Sequence, residues 1–265
     1  MDTTSVQNIL RTLKLDGMAA AFEKLLVQSA SRSIDPVEWI NIMAMSEDQN
    51  RRERRFQSRL LSAKLRDTEA KIANIDYTTA RQLDQVKFQD LAQCNWIKDN
   101  SSVLITGPCG VGKSYLACAL GHEACRQENS VLYFRMPRFF NELEAARKDD
   151  TFERLFKKIG RADVLILDDW GPDFMTAAQR RDLMEVVDAR YDNKATIITS
   201  QLPVEKWYDI VADPTFADAI LDRLVHRSHR IALDGPSMRK VSGATAPRKP
   251  SFARILQEQR QASPA

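Results

Sequence analysis

Short apolar runs and helical patterns alternate along the chain from residue 87 onward. Five runs have the length and apolar content of buried strands. They span residues 102–106, 130–135, 163–168, 195–199 and 230–233. Stretches of helical length lie between them, and strands that alternate with helices are typical of a parallel sheet. The pattern therefore predicts an α/β fold with a parallel sheet.

The N-terminal part instead places apolar residues at helical spacing, as residues 5–28 illustrate. Gly17 disfavours a single unbroken helix there. Asp35 and Pro36 have the sequence of a helix start, with Asp as the cap and Pro in the first turn. We expect a small all-helical domain over residues 1–70, a linker over 71–86 and the α/β domain over 87–240. Residues 241–265 mix small residues and Pro with basic ones, which predicts a disordered basic tail.

A phosphate-binding loop follows the first predicted strand and opens a helix. Its sequence fits G-x-x-x-x-G-K-[ST], in which glycines let backbone N–H groups face phosphate oxygens, Lys contacts the β/γ-phosphates and Ser binds Mg²⁺. The helix adds the positive end of its dipole. The predicted nucleotide contacts are Gly107, Pro108, Cys109, Gly110, Val111, Gly112, Lys113, Ser114 and Tyr115. ATP and Mg²⁺ are the expected cofactors.

Two carboxylates end the third predicted strand, where ligand sites of parallel sheets lie. Asp168 suits the Mg²⁺ contact beside Ser114, and Asp169 suits polarising the attacking water. Because Asp is one methylene shorter than the Glu common at this place, we expect slow hydrolysis, with a turnover below ~10 s⁻¹. Gln201 is the first candidate for orienting the water and Thr199 the second.

Cations flank the last predicted strand. A basic residue that reaches the γ-phosphate from a neighbouring subunit strongly accelerates phosphoryl transfer in other systems. Arg223 is the better candidate for that role, with Arg227 as the alternative. Arg239 is the candidate for a phosphate contact within its own subunit. An ordinary ion pair on a helix face is the competing interpretation for each.

The net charge of +3 is unevenly distributed. Residues 81–234 carry 21 basic and 24 acidic residues, whereas residues 235–265 carry 6 and 1. Residues 51–66 contain a single acid, and several of their basic residues share one helical stripe. Such a stripe is either a solvated helix face or a contact surface for the DNA backbone, and its like charges favour DNA. The predicted contacts are Arg51, Arg52, Arg55 and Arg59.

Composition indicates a soluble protein, with 43% hydrophobic and 28% charged residues. No apolar run approaches the length of a membrane span, and the first residues do not resemble a signal peptide. The four cysteines form no C-x-x-C pair, so disulfides and zinc are not expected. We therefore expect a cytoplasmic location and no membrane partner.

Several motifs together resemble the AAA+ ATPases, in the initiator and helicase-loader group that includes DnaC and DnaA. The details are most similar to the IstB-like ATP-binding helper proteins of bacterial insertion sequences. The matching segments are residues 15–18 (LDGM), 106–114 (TGPCGVGKS), 199–203 (TSQLP) and 234–240 (DGPSMRK).

This resemblance implies an αβα core of five parallel strands with a small helical lid formed after about residue 203. It also implies that ATP lies between subunits, where Arg223 completes a neighbour's site. ATP-dependent oligomers on duplex DNA would recruit and stimulate a partner transposase. Initiator-type members carry a DNA-contacting helical element after the second strand, which here would involve Arg135 and Arg138.

Two alternatives remain at this point. A DnaC-like helicase loader would share the core and dock its N-terminal domain on a helicase. A small-molecule P-loop kinase would need a substrate pocket and a closing lid, and it would have no evident use for the basic stripe.

Overall fold

A computed structural model describes residues 3–29, 35–171 and 173–238. Within these residues the chain forms eleven α-helices, two short 3₁₀ turns and five strands. The helices are α1 (Thr3–Thr12), α2 (Asp16–Ser29), α3 (Pro36–Ala63), α4 (Gln85–Ala92), α5 (Asn95–Lys98), α6 (Lys113–Arg126), α7 (Met136–Lys148), α8 (Phe152–Arg161), α9 (Ala177–Arg190), α10 (Trp207–Val211) and α11 (Pro214–Val225). The strands are β1 (Ser102–Thr106), β2 (Val131–Arg135), β3 (Val164–Trp170), β4 (Ala195–Ser200) and β5 (Ser228–Ala232).

The five strands form one parallel sheet in the order β2-β3-β4-β1-β5. Strand β1 lies between β4 and β5, and its Val103 pairs with Ile197 of β4 on one side and with His229 of β5 on the other. The predicted strands are therefore confirmed to within two residues at each boundary. Because β1, β3 and β4 are adjacent, their carboxyl ends bring the phosphate loop, the two carboxylates and residues 199–201 together.

Helices cover both faces of the sheet. One buried cluster contains residues of α4, α5 and α6, together with the end of α3, and the other contains residues of α7 to α11. Strands that are covered on both faces bury side chains on both sides, which explains why the sequence shows mostly continuous apolar runs rather than alternation. The αβα fold class is thereby confirmed.

Helices α10 and α11, which follow residue 203 in the described part of the chain, do not form a separate lid. Trp207, Val211, Ala217 and Ile220 are fully buried in the second cluster. Helices α10 and α11 therefore belong to the layer that covers the sheet, because an apolar face of this size is stabilised by burial against the strands.

Residues 71–86 are packed rather than extended as a linker. A 3₁₀ turn (Ile72–Asn74) precedes buried Ile75, and the buried side chain of Arg81 reaches the phosphate loop. Ala63, Leu65 and Ala70 belong to the same cluster as the sheet. The predicted boundary at residue 70 thus falls inside a packed region, because small and apolar side chains there bury against α6.

Helix α3 begins as predicted, with the Asp35 side chain accepting a hydrogen bond from the Val37 backbone N–H. The N-terminal apolar stretch is two helices, α1 and α2, and Gly17 lies in the first turn of α2. A Cβ at Gly17 would lie 2.5 Å from the Ser46 carbonyl oxygen of α3, so glycine permits this close crossing. The predicted disordered tail and Arg239 lie outside the described residues. None of the helices in the described ranges is long and apolar enough to span a membrane.

The buried carboxylate of Glu47 ties α2 to α3. It accepts hydrogen bonds from the backbone N–H groups of Gly17 and Met18 and from the Arg51 guanidinium. Burial opposes ionisation, but these hydrogen bonds and the Arg51 charge outweigh it and lower the pKa of Glu47.

We expect Glu47→Gln to lower the free energy of unfolding by about 1–3 kcal/mol near neutral pH, since it weakens two N–H acceptor contacts and the Arg51 pair. A depressed folded pKa stabilises the protein above the unfolded value of about 4.3. The difference from wild type should therefore shrink as pH falls below about 4. Denaturant titrations between pH 3 and 7 measure this difference in the free energy of unfolding, and Glu23→Gln, at an exposed position, is the control. A pH-independent difference would contradict this account.

Candidate nucleotide-binding site

The phosphate loop joins the end of β1 to the start of α6, as the sequence predicts. Gly107, Gly110 and Gly112 adopt φ values of 145°, 90° and 97°, in the region that favours glycine. At Gly107 a Cβ would collide with the carbonyl oxygen of Leu233. The loop is thus closely packed from behind, while Cys109, Gly110, Gly112 and Lys113 line an open cavity of about 950 Å³ in front.

The Lys113 side chain lies along the loop. Its Nζ donates hydrogen bonds to the carbonyl oxygens of Gly107 (2.7 Å) and Pro108 (2.8 Å). The charge is therefore held beside the backbone N–H groups that would surround a phosphate. Val111 is buried behind the loop, and Tyr115 lies on the cavity wall in the first turn of α6.

Asp168 joins the phosphate loop to the sheet. Its Oδ1 accepts hydrogen bonds from Ser114 Oγ (2.8 Å) and Thr199 Oγ1 (2.5 Å). Asp168 and Thr199 are fully buried. A hydroxyl and a carboxylate in contact at this place are hard oxygen ligands of the kind that Mg²⁺ takes together with substrate phosphates.

A bulge between β3 and β4 places both carboxylates at the site. Leu167 pairs with Ile198 and Trp170 with Ser200, so Asp168 and Asp169 together oppose Thr199. Asp169 adopts a left-handed φ of 65°. Its backbone N–H donates to Thr199 Oγ1 at 3.1 Å. The extra residue explains why both consecutive carboxylates lie at the site. Asp169 lines the cavity, and the buried Asp168 contacts Ser114, which also lines it.

The second oxygen of Asp168 has partners that the sequence did not indicate. Tyr133 Oη donates a hydrogen bond to Oδ2 at 2.6 Å, and Arg66 Nη1 lies 3.6 Å from the same oxygen. Burial, and then the hydrogen bond to Asp168, raise the pKa of Tyr133, so the phenol stays a donor. Neither residue belongs to a nucleotide motif, and only the pairing of β2 with β3 brings Tyr133 to Asp168.

Asp169 is hydrogen-bonded by Arg135, for which the family resemblance implies a DNA contact. Arg135 Nη2 donates to Asp169 Oδ2 at 2.5 Å, and both side chains line the cavity. This hydrogen bond and the Asp169 charge raise the pKa of Arg135. Arg135 lies at the end of β2, and β2 pairs with β3, so the sheet directs it to the nucleotide site.

The two candidates for orienting water occupy different positions. Thr199 is buried and bonded to Asp168, whereas Gln201 is exposed on the rim of the cavity. Thr199 therefore holds the Asp168 carboxylate in place. Of the two candidates, only Gln201 borders the open cavity.

Arg223 and Arg227 lie away from this cavity. Arg223 Nε contacts Asp188 Oδ1 at 2.5 Å, and Arg227 Nη1 contacts Asp192 Oδ1 at 3.1 Å. Both line a recess with Ser102 and Thr196, near the amino ends of β1 and β4. The phosphate loop lies at the carboxyl ends of the strands, on the opposite side of the sheet from this recess. Neither arginine therefore reaches the nucleotide site of its own chain. Arg239 lies outside the described residues.

Three arginines of the predicted DNA stripe are exposed on α3 and Arg59 is half-buried, and each of the four has an acidic neighbour. Arg51 pairs with Glu47 and Arg52 with Asp48, both at 2.8 Å. Arg55 and Arg59 lie 3.9 and 3.8 Å from Glu128. Arg138 is exposed on α7.

The site combines a glycine loop that follows β1, a lysine and a serine hydroxyl at the start of α6, and a carboxylate on β3 that contacts this hydroxyl. These groups are arranged for binding a nucleoside triphosphate. On a parallel sheet of order β2-β3-β4-β1-β5, this arrangement defines a P-loop protein of the AAA+ class. The chain belongs to the family described as IstB-like ATP binding protein, because the model of that family matches residues 8–246.

Relatives and solved structures agree with this assignment. A protein of Sinorhizobium fredii, named as an insertion sequence ATP-binding protein, is 46% identical over 231 residues, which cover 87% of this chain and 94% of that protein. The crystal structure of DnaI matches with a TM-score of 0.55 and 21% identity, over 67% of this chain and 93% of that chain. The replication initiator DnaA, bound to AMPPCP and single-stranded DNA, matches with a TM-score of 0.56 and 16% identity, over 72% and 60%. At these identities the two structures show a shared fold.

Proposed function

We propose that this protein is an ATP-dependent, DNA-binding regulator of insertion-sequence transposition. It assembles into oligomers on duplex DNA and then recruits and activates a partner transposase. The observation that carries the proposal is the hydrogen-bonded chain Ser114–Asp168–Thr199 behind the phosphate loop. It occurs in a chain whose relatives are named as ATP-binding proteins of insertion sequences.

Ser114 and Asp168 would hold Mg²⁺, and Lys113 would exchange its loop carbonyl contacts for phosphate oxygens. Mg²⁺, when bound, neutralises charge that develops on the transferred phosphoryl group. Thr199 and Tyr133 keep Asp168 oriented by occupying one lone pair on each oxygen. The carboxylate is thereby fixed before the cofactor arrives.

Hydrolysis would be slow because Asp169 is held by Arg135. The carboxylate must be released from this hydrogen bond before it can orient a water, and its left-handed backbone restricts its reach. Gln201, on the rim, is placed to contact the same water. A nucleotide state that lasts long enough to maintain an assembly suits a regulator better than rapid turnover does.

Asp169→Asn should abolish ATP hydrolysis and leave ATP binding within about threefold of wild type, because the amide cannot accept a proton. Phosphate release and calorimetric titration measure the two quantities. Asp173→Asn, on the following loop, is the control for the loss of one surface carboxylate. A wild-type turnover well above ~10 s⁻¹, or an active Asp169→Asn variant, would contradict the assignment.

Two neighbouring basic surfaces support a DNA contact. The first is the α3 stripe of Arg51, Arg52, Arg55 and Arg59. The second is the outer face of α8, with Arg154, Lys157, Lys158 and Arg161, which lines an open groove of about 840 Å³ together with Arg59. Within the part of the chain that is described, three of these α8 cations have no carboxylate within 4 Å, and Lys157 lies 4.0 Å from Glu153.

Replacing the four α3 arginines by Ala, or the four α8 cations by Ala, should weaken binding to duplex DNA and flatten its salt dependence. The slope of the logarithm of the binding constant against the logarithm of the salt concentration should decrease in magnitude by about 0.9 for each phosphate contact removed. The α8 set should have the larger effect, since its cations give up fewer intramolecular ion pairs on binding. Fluorescence anisotropy at several salt concentrations measures this, with Lys87, Lys98 and Lys206 replaced by Ala as the control. Unchanged slopes in both sets would favour the solvated-face interpretation.

Oligomer formation is supported by the position of Arg223. It is remote from the phosphate loop of its own chain and lies in the last turn of α11, where it could contact the nucleotide site of a neighbouring subunit. A DnaC-like helicase loader would share this arrangement, and the insertion-sequence names of the relatives favour the transposition role. Family membership leaves the small-molecule kinase alternative without support.

A further inference from the structure

Arg81 is a buried arginine that no nucleotide motif includes. It follows the 3₁₀ turn at Ile72–Asn74, and only 3% of its surface is exposed. Its Nη1 donates to the Val111 carbonyl oxygen of the phosphate loop at 2.9 Å, and its Nη2 donates to the Asp76 carbonyl oxygen at 2.7 Å. The guanidinium therefore joins the segment before α4 directly to the loop.

The positive charge of Arg81 has no counter-ion in direct contact. Across the described residues no carboxylate lies within 4 Å of its guanidinium, and its buried Nε has no hydrogen-bond partner. The Asp76 carboxylate is instead hydrogen-bonded by the side chains of Thr78 and Thr79. Burial lowers the pKa of Arg81 from its ordinary value, and the nearby negative charge of Asp76 offsets only part of this effect. A buried charge that is only partly compensated is costly, and an anion bound nearby would offset more of that cost.

The location of this charge suits such an anion. A Cβ built at Gly112 would lie 2.5 Å from Arg81 Nη1, so the guanidinium lies against the loop immediately before Lys113. Arg81 also borders the cavity that the loop faces. By holding the Val111 carbonyl on its own side of the loop, it leaves the following N–H groups directed at the cavity.

The same residue contacts the segment that follows β5. The Asp234 backbone N–H donates to the Arg81 carbonyl oxygen at 3.1 Å, and the Met238 N–H donates to the Gly110 carbonyl oxygen at 2.9 Å. Residues 234–238 and Arg81 thus hold the phosphate loop from two directions.

We propose that Arg81 is a positioning residue for ATP: it orients the phosphate loop through Val111, and the nucleotide phosphates add counter-charge to that of Asp76, which is not in direct contact with the buried guanidinium. This proposal rests on the ATP-binding part of the proposed function. It adds a cation from outside the motif to those already at the site, Lys113, Arg66 and Arg135, and it does not depend on DNA binding or on hydrolysis.

The test compares Arg81→Gln with Arg180→Gln in the full chain. Arg180 is a matched control, because it also donates to two backbone carbonyl oxygens, those of Met175 and Val211, and its buried Nε also lacks a partner. It does not line the nucleotide cavity. ATP affinity is measured by calorimetry, and thermal unfolding is followed with and without saturating ATP.

Arg81→Gln should weaken ATP binding at least about tenfold, as expected for the loss of a charged partner. The increase in Tm caused by ATP should shrink accordingly. Arg180→Gln should lower the Tm with and without ATP equally and leave the affinity unchanged. Arg81→Lys keeps the charge but cannot reproduce the two hydrogen bonds of the guanidinium, so its ATP affinity should lie between those of wild type and Arg81→Gln. This variant carries the test if the Gln variant does not fold.

An Arg81→Gln protein that loses thermal stability but binds ATP within twofold of wild type would overturn the proposal. An Arg81→Lys protein whose ATP affinity is as low as that expected for Arg81→Gln would also overturn it. Failure of the proposed function has a different signature. In that case ATP would shift the Tm of neither wild type nor Lys113→Ala.

Discussion

The geometry of the nucleotide site depends on the hydrogen bonds that Asp168 accepts from Ser114 and Thr199, because they connect the phosphate loop to two strands of the sheet. Ser114 belongs to the phosphate loop, Asp168 to β3 and Thr199 to β4. The carboxylate is fully buried, so its position is set by these partners and by Tyr133 rather than by solvent. A bulge that presents two carboxylates opposite one threonine makes this geometry possible. Without it, Asp169 would point to the other face of the sheet.

The nucleotide site is also where the N-terminal helices meet the sheet domain. Arg66 follows the end of α3 and lies near Asp168, and Arg81 contacts the loop from the segment that precedes α4. Because both cations lie near the charged groups of the site, bound nucleotide would change the electrostatic forces on the segments that connect to α3. The arginines proposed to contact DNA lie on that same helix. This gives a physical route by which ATP and DNA binding would influence each other.

Much of this architecture follows from local sequence. The apolar runs predict the strands, the glycine-lysine-serine spacing predicts the loop, and an apolar run ending in carboxylates predicts Asp168. Other features depend on contacts between distant residues. The interaction of Arg135 with Asp169 requires the pairing of β2 with β3, and that of Arg55 with Glu128 requires α3 to lie beside the end of α6. Residues 71–86 carry turn residues and look like a linker, because a short segment that packs through Ile75 and Arg81 has no periodic pattern.

The central claim is that ATP bound at this site sets the assembly state of the protein on DNA. Electron microscopy of the full chain, mixed with duplex DNA and a non-hydrolysable ATP analogue, tests it most directly. The account predicts oligomers of defined shape along the DNA with wild-type protein, and none with Lys113→Ala under the same conditions. Wild-type protein that remains dispersed, or assemblies that form equally well without nucleotide, would contradict it.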